Sequence, residues 1–148
     1  MTERPDPYDL DRFVAAQRGV YEQALSELRA GRKQSHWMWF IFPQIQGLGA
    51  SAVSRQFAIK SLDEARAYLT HATLGPRLIE CAGALLALQT RDAGEVLGYP
   101  DNMKLKSSAT LFALVSSGES VFDRVLQQFF NDERDQQTLT FVRQLEQP

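Results

Sequence analysis

The stretch from Lys33 to Gly49 constrains this chain more than any other. It holds both tryptophans, two of the nine phenylalanines and two of the nine glycines. Its centre, His36-Trp37-Met38-Trp39-Phe40-Ile41-Phe42-Pro43-Gln44, follows neither a helical period of 3.6 nor a strand period of 2. Pro43 forbids one continuous helix through it, and Gly47 and Gly49 loosen its exit. Large rings bury about 150–250 Å² each, so the segment is expected to be an ordered loop, with a helical turn or a short extended piece, on which regular elements pack. Phe40-Ile41-Phe42 is the only piece with any strand character.

The same region is electrically distinct. From Leu28 to Leu62 the cations are Arg29, Arg32, Lys33, Arg55 and Lys60, and there is no Asp or Glu. A chain of net charge −2 therefore contains a +5 window and a −7 remainder. A weakly acidic protein does not present the broad basic face of a nucleic-acid binder, so nucleic acid ranks last among partners; a local site for a small anion is compatible with it. Cys81 is the single cysteine, which excludes an intramolecular disulfide and a Cys-rich zinc site. His36 and His71 lie far apart without ligand spacing, so no metal and no cofactor is expected. Met1 to Pro7 has no apolar run of the signal-peptide kind, and no stretch approaches 18 apolar residues. No membrane contact is expected, and a cytoplasmic location is the default. At 148 residues, one domain with a core of its own is the expectation.

Outside the aromatic stretch the chain reads as all-α, a compact bundle of seven to eight helices, several of them short, spanning 1–148 with a loose end at 1–5. Asp6 as N-cap and Pro7 at the first helical position predict an amphipathic helix of about six turns closed by Gly31. Ser51 caps a short helix through Ile59, and Ser61 another, with Asp63 and Glu64 in its first turn. Thr73 to Pro76 open a long helix to about Thr90. Asp92 caps a short turn ending at Gly98. Pro100 and Asp101 begin a helix through Val115, which Ser116-Ser117-Gly118 breaks. Ser120 or Glu119 opens the next, and Asp135 the last.

At these positions the chain resembles a known family. His36 to Gln44 followed by Gly47-Leu48-Gly49 is similar to the signature of the family called domain of unknown function 1810. Leu74-Gly75-Pro76-Arg77-Leu78, Asp101, Lys104-Leu105, Ser107-Ser108 and Thr110-Leu111-Phe112 carry the resemblance further, as do Phe122 to Phe130 and Thr138-Leu139. Phe57 and Ala109 depart from the pattern, standing where tyrosine and methionine are usual. The resemblance implies a compact, mainly helical bacterial domain and no known activity. Such chains are sometimes called calpastatin-like; that inhibitor is disordered, whereas this composition folds.

Two groups of residues are candidates for chemistry. In the aromatic stretch, His36 is a candidate general base, or else ties the loop to a backbone carbonyl. Trp37, adjoining it, is the ring expected to face a ligand, while most of its neighbours anchor the core. Gln44, Gly47, Gly49 and Ser51 form an exit whose backbone N–H groups suit an anion, though loop flexibility explains the glycines equally. In the second group, Asp101, Lys104 and Ser108 share one helix face with Ser107 beside it. Asp101 is a candidate base, and Lys104, Ser107 and Ser108 candidate contacts to ribose or phosphate. The plain alternative is a solvated face with an ordinary ion pair. The expected function is binding of a small anionic nucleotide-like or ADP-ribose-like ligand between 36–51 and the 101–110 helix, by a monomer or weak homodimer. The alternative is a protein-interaction module without catalysis.

Overall fold

A computed structural model describes residues 5–147. Among them the regular elements are all helices, apart from one isolated parallel bridge, Ile45 to Ile59. The helices are α1 (Asp11–Gln17), α2 (Tyr21–Ala30), α3 (Met38–Ile41), α4 (Ala52–Gln56), α5 (Leu62–Thr70), α6 (Leu74–Leu86), α7 (Ala93–Leu97), α8 (Asp101–Leu114), α9 (Val121–Phe130) and α10 (Gln136–Glu146). These ten described helices replace the expected seven or eight for two local reasons. The first long helix is split, because Arg18 is extended and Gly19 takes φ +77°. The aromatic stretch forms one turn, α3, at the residues that looked most strand-like. Asp6 is not the N-cap and Pro7 lies outside the helix: α1 begins at Asp11 with Leu10 before it and ends at Gln17, and Asp6 instead accepts from Leu10 and Asp11 N–H at 2.8 and 3.0 Å across the turn that precedes it. No described helix is long and apolar enough to cross a membrane.

Short-range cap signals act where the sequence places them. Ser51, Ser61, Asp92, Ser120 and Asp135 each accept from a backbone N–H two or three residues on, satisfying donors a helix start leaves open. His71 ends α5 and accepts, through Nδ1, from the N–H groups of Thr73 and Leu74, so one ring joins α5 to α6.

Two helices form the centre. α6 packs on α2, α5 and α9; α8 packs on α5, α7, α9 and α10. The middle of α8 is buried on every side: Leu105, Ala109, Leu111 and Phe112 together with Ser107, Ser108 and Thr110. Small hydroxyl residues let neighbours approach, and two of them turn their own O–H back to the helix, Ser107 to Met103 O and Thr110 to Lys106 O. The stripe that reads as solvated in the sequence is thus largely interior. Cys81 is buried too, and burial pushes its thiol up to about 12. A file of rings crosses the core, Phe40–Phe57–Phe13–Tyr68–Phe112–Phe122, with centroids 5.1 to 5.7 Å apart.

Candidate functional site

Phe57 brings this aromatic file to a cavity of about 380 Å³, lined by Trp39, residues 44–47, Gly49, Ser54, Arg55, Phe57 and Ala58. The wall is an excursion of the chain closed at its neck. Gln46 N–H donates to Ile59 O, and Ile59 N–H to Gln44 O, both at 2.8 Å. Between these points the backbone turns out and returns through α4, which buries none of its residues.

Arg12 clamps the returning strand. Its Nε–H donates to Gln56 O, its two Nη groups to Tyr8 O, Asp9 O, Ala58 O and Glu64 Oε2, at 2.6 to 2.8 Å. All five N–H donors of the guanidinium are therefore used. Glu64, itself buried, takes Lys60 N–H on its other oxygen at 3.0 Å.

The aromatic stretch is fixed from the other side by Glu27. Its Oε1 accepts from Gln34 N–H, Ser35 N–H and Trp37 Nε1–H at 2.8 to 3.0 Å, and its Oε2 from Ser35 Oγ at 2.6 Å. Burial works to raise the pKa of this carboxyl, but the hydrogen bonds from Ser35, Gln34 and Trp37 outweigh it and hold Glu27 at about 2. Trp37 is consequently wholly buried. Above it lies a chain of charges. Lys33 Nζ sits 5.2 Å from the Trp37 ring centroid and 3.0 Å from Asp101 Oδ2. Lys104 Nζ lies 3.3 Å from Asp101 Oδ1 and 5.0 Å from the Trp39 ring centroid. Asp101 thus has a lysine on each oxygen, and Lys104 covers one face of Trp39.

The family model described as Protein of unknown function (DUF1810) matches residues 7–142. The chain belongs to the DUF1810 family. The crystal structure of the conserved hypothetical protein Rv1873 from Mycobacterium tuberculosis is 47% identical and superposes with a TM-score of 0.91, covering 93% of this chain and 99% of that one. No curated protein matches the chain.

In this DUF1810 chain the aromatic stretch meets α8 through Lys33 on Asp101 and through Trp39 under Lys104. Gln44, Gly47 and Gly49 line the cavity. Ser51 stands behind it as the cap of α4, donating its Oγ–H to Ser54 Oγ at 2.8 Å, and Ser54 is the hydroxyl on the wall. His36 is exposed and is not among the lining residues. Trp37 is not the ring at the cavity; Trp39 is, because Trp37 Nε1–H must find an acceptor when buried and finds Glu27. Asp101 lies behind Trp39, engaged by both lysines. Ser107 is buried against Asp135 Oδ2 at 3.2 Å, and Ser108 is buried with its hydroxyl unpartnered. No α8 residue lines the cavity. Arg55, a residue the sequence marks only as one of five cations in an acid-free window, is the cation on its wall, and no carboxylate among the described residues pairs with it.

The glycines of the exit serve packing. A Cβ at Gly49 would lie 2.4 Å from Ser54 Cβ, and one at Gly47, where φ is +106°, 3.1 Å from the Phe141 ring. Gly49→Ala is expected to destabilise by about 1–3 kcal/mol through overpacking against α4. Gly83→Ala, inside α6 with nothing within 4 Å, is expected to stabilise by about 0.5–1 kcal/mol. Thermal denaturation of the two variants beside the parent checks both signs.

Proposed function

We propose that this protein binds a small anionic ligand bearing a flat ring, of nucleotide-like or ADP-ribose-like chemistry, in the cavity between 44–49 and 54–58. The carrying observation is the pairing of an aromatic wall, Trp39 and Phe57, with the unpaired Arg55 in a hollow of about 380 Å³, a size typical of small-ligand sites. Lys104 on one face of Trp39 leaves the ring's other face or edge to the cavity. A base stacked on such a ring gains about 1–3 kcal/mol. Arg55 supplies a planar fork for phosphate or carboxylate, and Gln44 and Gln46 offer amides to polar edges. No Asp, Glu, His or Cys lines the cavity, which favours binding over acid–base turnover at these walls. His36 and Asp101 then act outside the binding step, Asp101 by holding Lys104 over Trp39.

The test is a thermal-shift screen with nucleoside mono-, di- and triphosphates and ADP-ribose, followed by titration of any hit against Arg55→Ala and Trp39→Phe. At least one compound should raise the melting temperature of the parent, and Arg55→Ala should weaken it at least tenfold while leaving the unliganded melting temperature unchanged. A panel without a single stabilising compound, or a hit indifferent to Arg55, overturns the assignment.

A further inference from the structure

α9, the end of α6 and the segment following it enclose a second, more open groove of about 530 Å³. Its floor includes Leu86 and Leu88, both half-buried, and its walls carry Gln89, Arg91, Arg124 and Gln128. Neither arginine has a carboxylate partner among the described residues. The acids next to them in sequence are turned to other work. Asp92 caps α7 through Gly94 and Glu95 N–H. Asp123 is held by Ser120 and Arg134. Glu119, one turn away, accepts from Gln127.

The groove's own acceptors are removed in the same way. Leu88 O and Thr90 O, carbonyls beyond the end of α6 that would repel an anion, both accept from Gln128 Nε2–H at 3.1 Å. What remains facing outward is two half-buried leucines among glutamine amides, bordered by two guanidinium groups without carboxylate partners. Planar forks of this kind match carboxylates two bonds at a time. An open trough with apolar footing suits an extended chain better than an isolated ion, which would leave the leucines wet.

We infer that the Arg91–Arg124 groove docks an acidic segment of a partner protein, its carboxylates on the two arginines and an apolar side chain between them over Leu86 and Leu88. This site is independent of the ligand cavity and stands whether or not that cavity is occupied. The probe is a fluorescein-labelled peptide of alternating Glu and Leu, with a Gln-and-Leu peptide of equal length as control, followed by fluorescence anisotropy at low and at physiological salt. The Glu peptide should bind, the Gln peptide should not, and added salt should weaken binding several-fold. Arg91→Glu/Arg124→Glu should weaken it at least tenfold at an unchanged circular-dichroism spectrum. Arg91→Gln/Arg124→Gln, which adds no like-charge repulsion, serves in the same role if the reversal disturbs folding. Absence of binding at millimolar peptide, equal binding of the Gln peptide, binding insensitive to both double variants, or tighter capture of a single-stranded oligonucleotide would each overturn the inference.

Discussion

Arg12→Ala is expected to cost roughly 3–5 kcal/mol of folding stability, because it strands a buried carboxylate. Glu64 is 1% exposed and loses its ion pair at 2.7 Å, leaving its carboxylate only the N–H of Lys60. The carbonyls of Tyr8, Gln56 and Ala58 lose this donor in the same step, while Asp9 O keeps only the Arg12 backbone N–H. Arg12→Lys keeps the charge but not the planar fork, and a single ammonium cannot reach five acceptors lying in different directions. It should therefore recover only a minor part of the loss. Urea denaturation monitored by tryptophan fluorescence measures both. Near-parental stability of Arg12→Lys would show that charge alone, not the shape of the guanidinium, fixes this corner.

Glu27→Ala ranks second, at roughly 3 kcal/mol, since it leaves the N–H of Trp37 and two backbone N–H groups without an acceptor in a closed site. The same carboxyl sets an acid limit. Its pKa is held at about 2 in the folded protein against an ordinary 4.5, so the unfolded chain takes up the proton first. Its contribution is complete above about 4.5 and is lost as pH falls from there toward 2. Asp123 acts in the same sense: burial opposes its ionisation, but Ser120 and Arg134 prevail and lower its pKa. Stability followed by urea titration should fall between pH 4.5 and 2, and Glu27→Gln should flatten that fall while lowering the plateau above it. A parental profile unaltered in Glu27→Gln would remove Glu27 as its source.

Much of the helical framework was legible because its signals are local. A serine or aspartate three residues before a free N–H needs no knowledge of the rest of the fold, and Ser61, Asp92, Ser120 and Asp135 all cap where they stand. The break at Gly19 was less legible, since one glycine inside an amphipathic pattern does not announce φ +77°. Long-range choices were hidden. Arg12 reaches partners 44 to 52 positions away, and nothing near it in sequence predicts them. The polar face of α8 reads as solvated because Ser107, Ser108 and Thr110 are hydrophilic by type; the helices packed around α8 bury them regardless. Of the cavity, Gln44, Gly47 and Gly49 were visible in the pattern. The choice between Trp37 and Trp39 was not, although a buried indole's need for an acceptor and a glutamate ten residues upstream held the clue.

The pinched neck at Ile45 and Ile59 has a consequence for how such proteins diverge. Both ends of the excursion are anchored by main-chain pairing, and Arg12 grips the returning end. The exposed positions in between, 50–53, 55 and 56, can change in identity without the helices registering it, whereas Gly47, Gly49 and Phe57 are held by packing. A relative could acquire a different preference in its hollow by rewriting this short outer arc alone, and transplanting 47–56 between two such relatives should carry the preference with it.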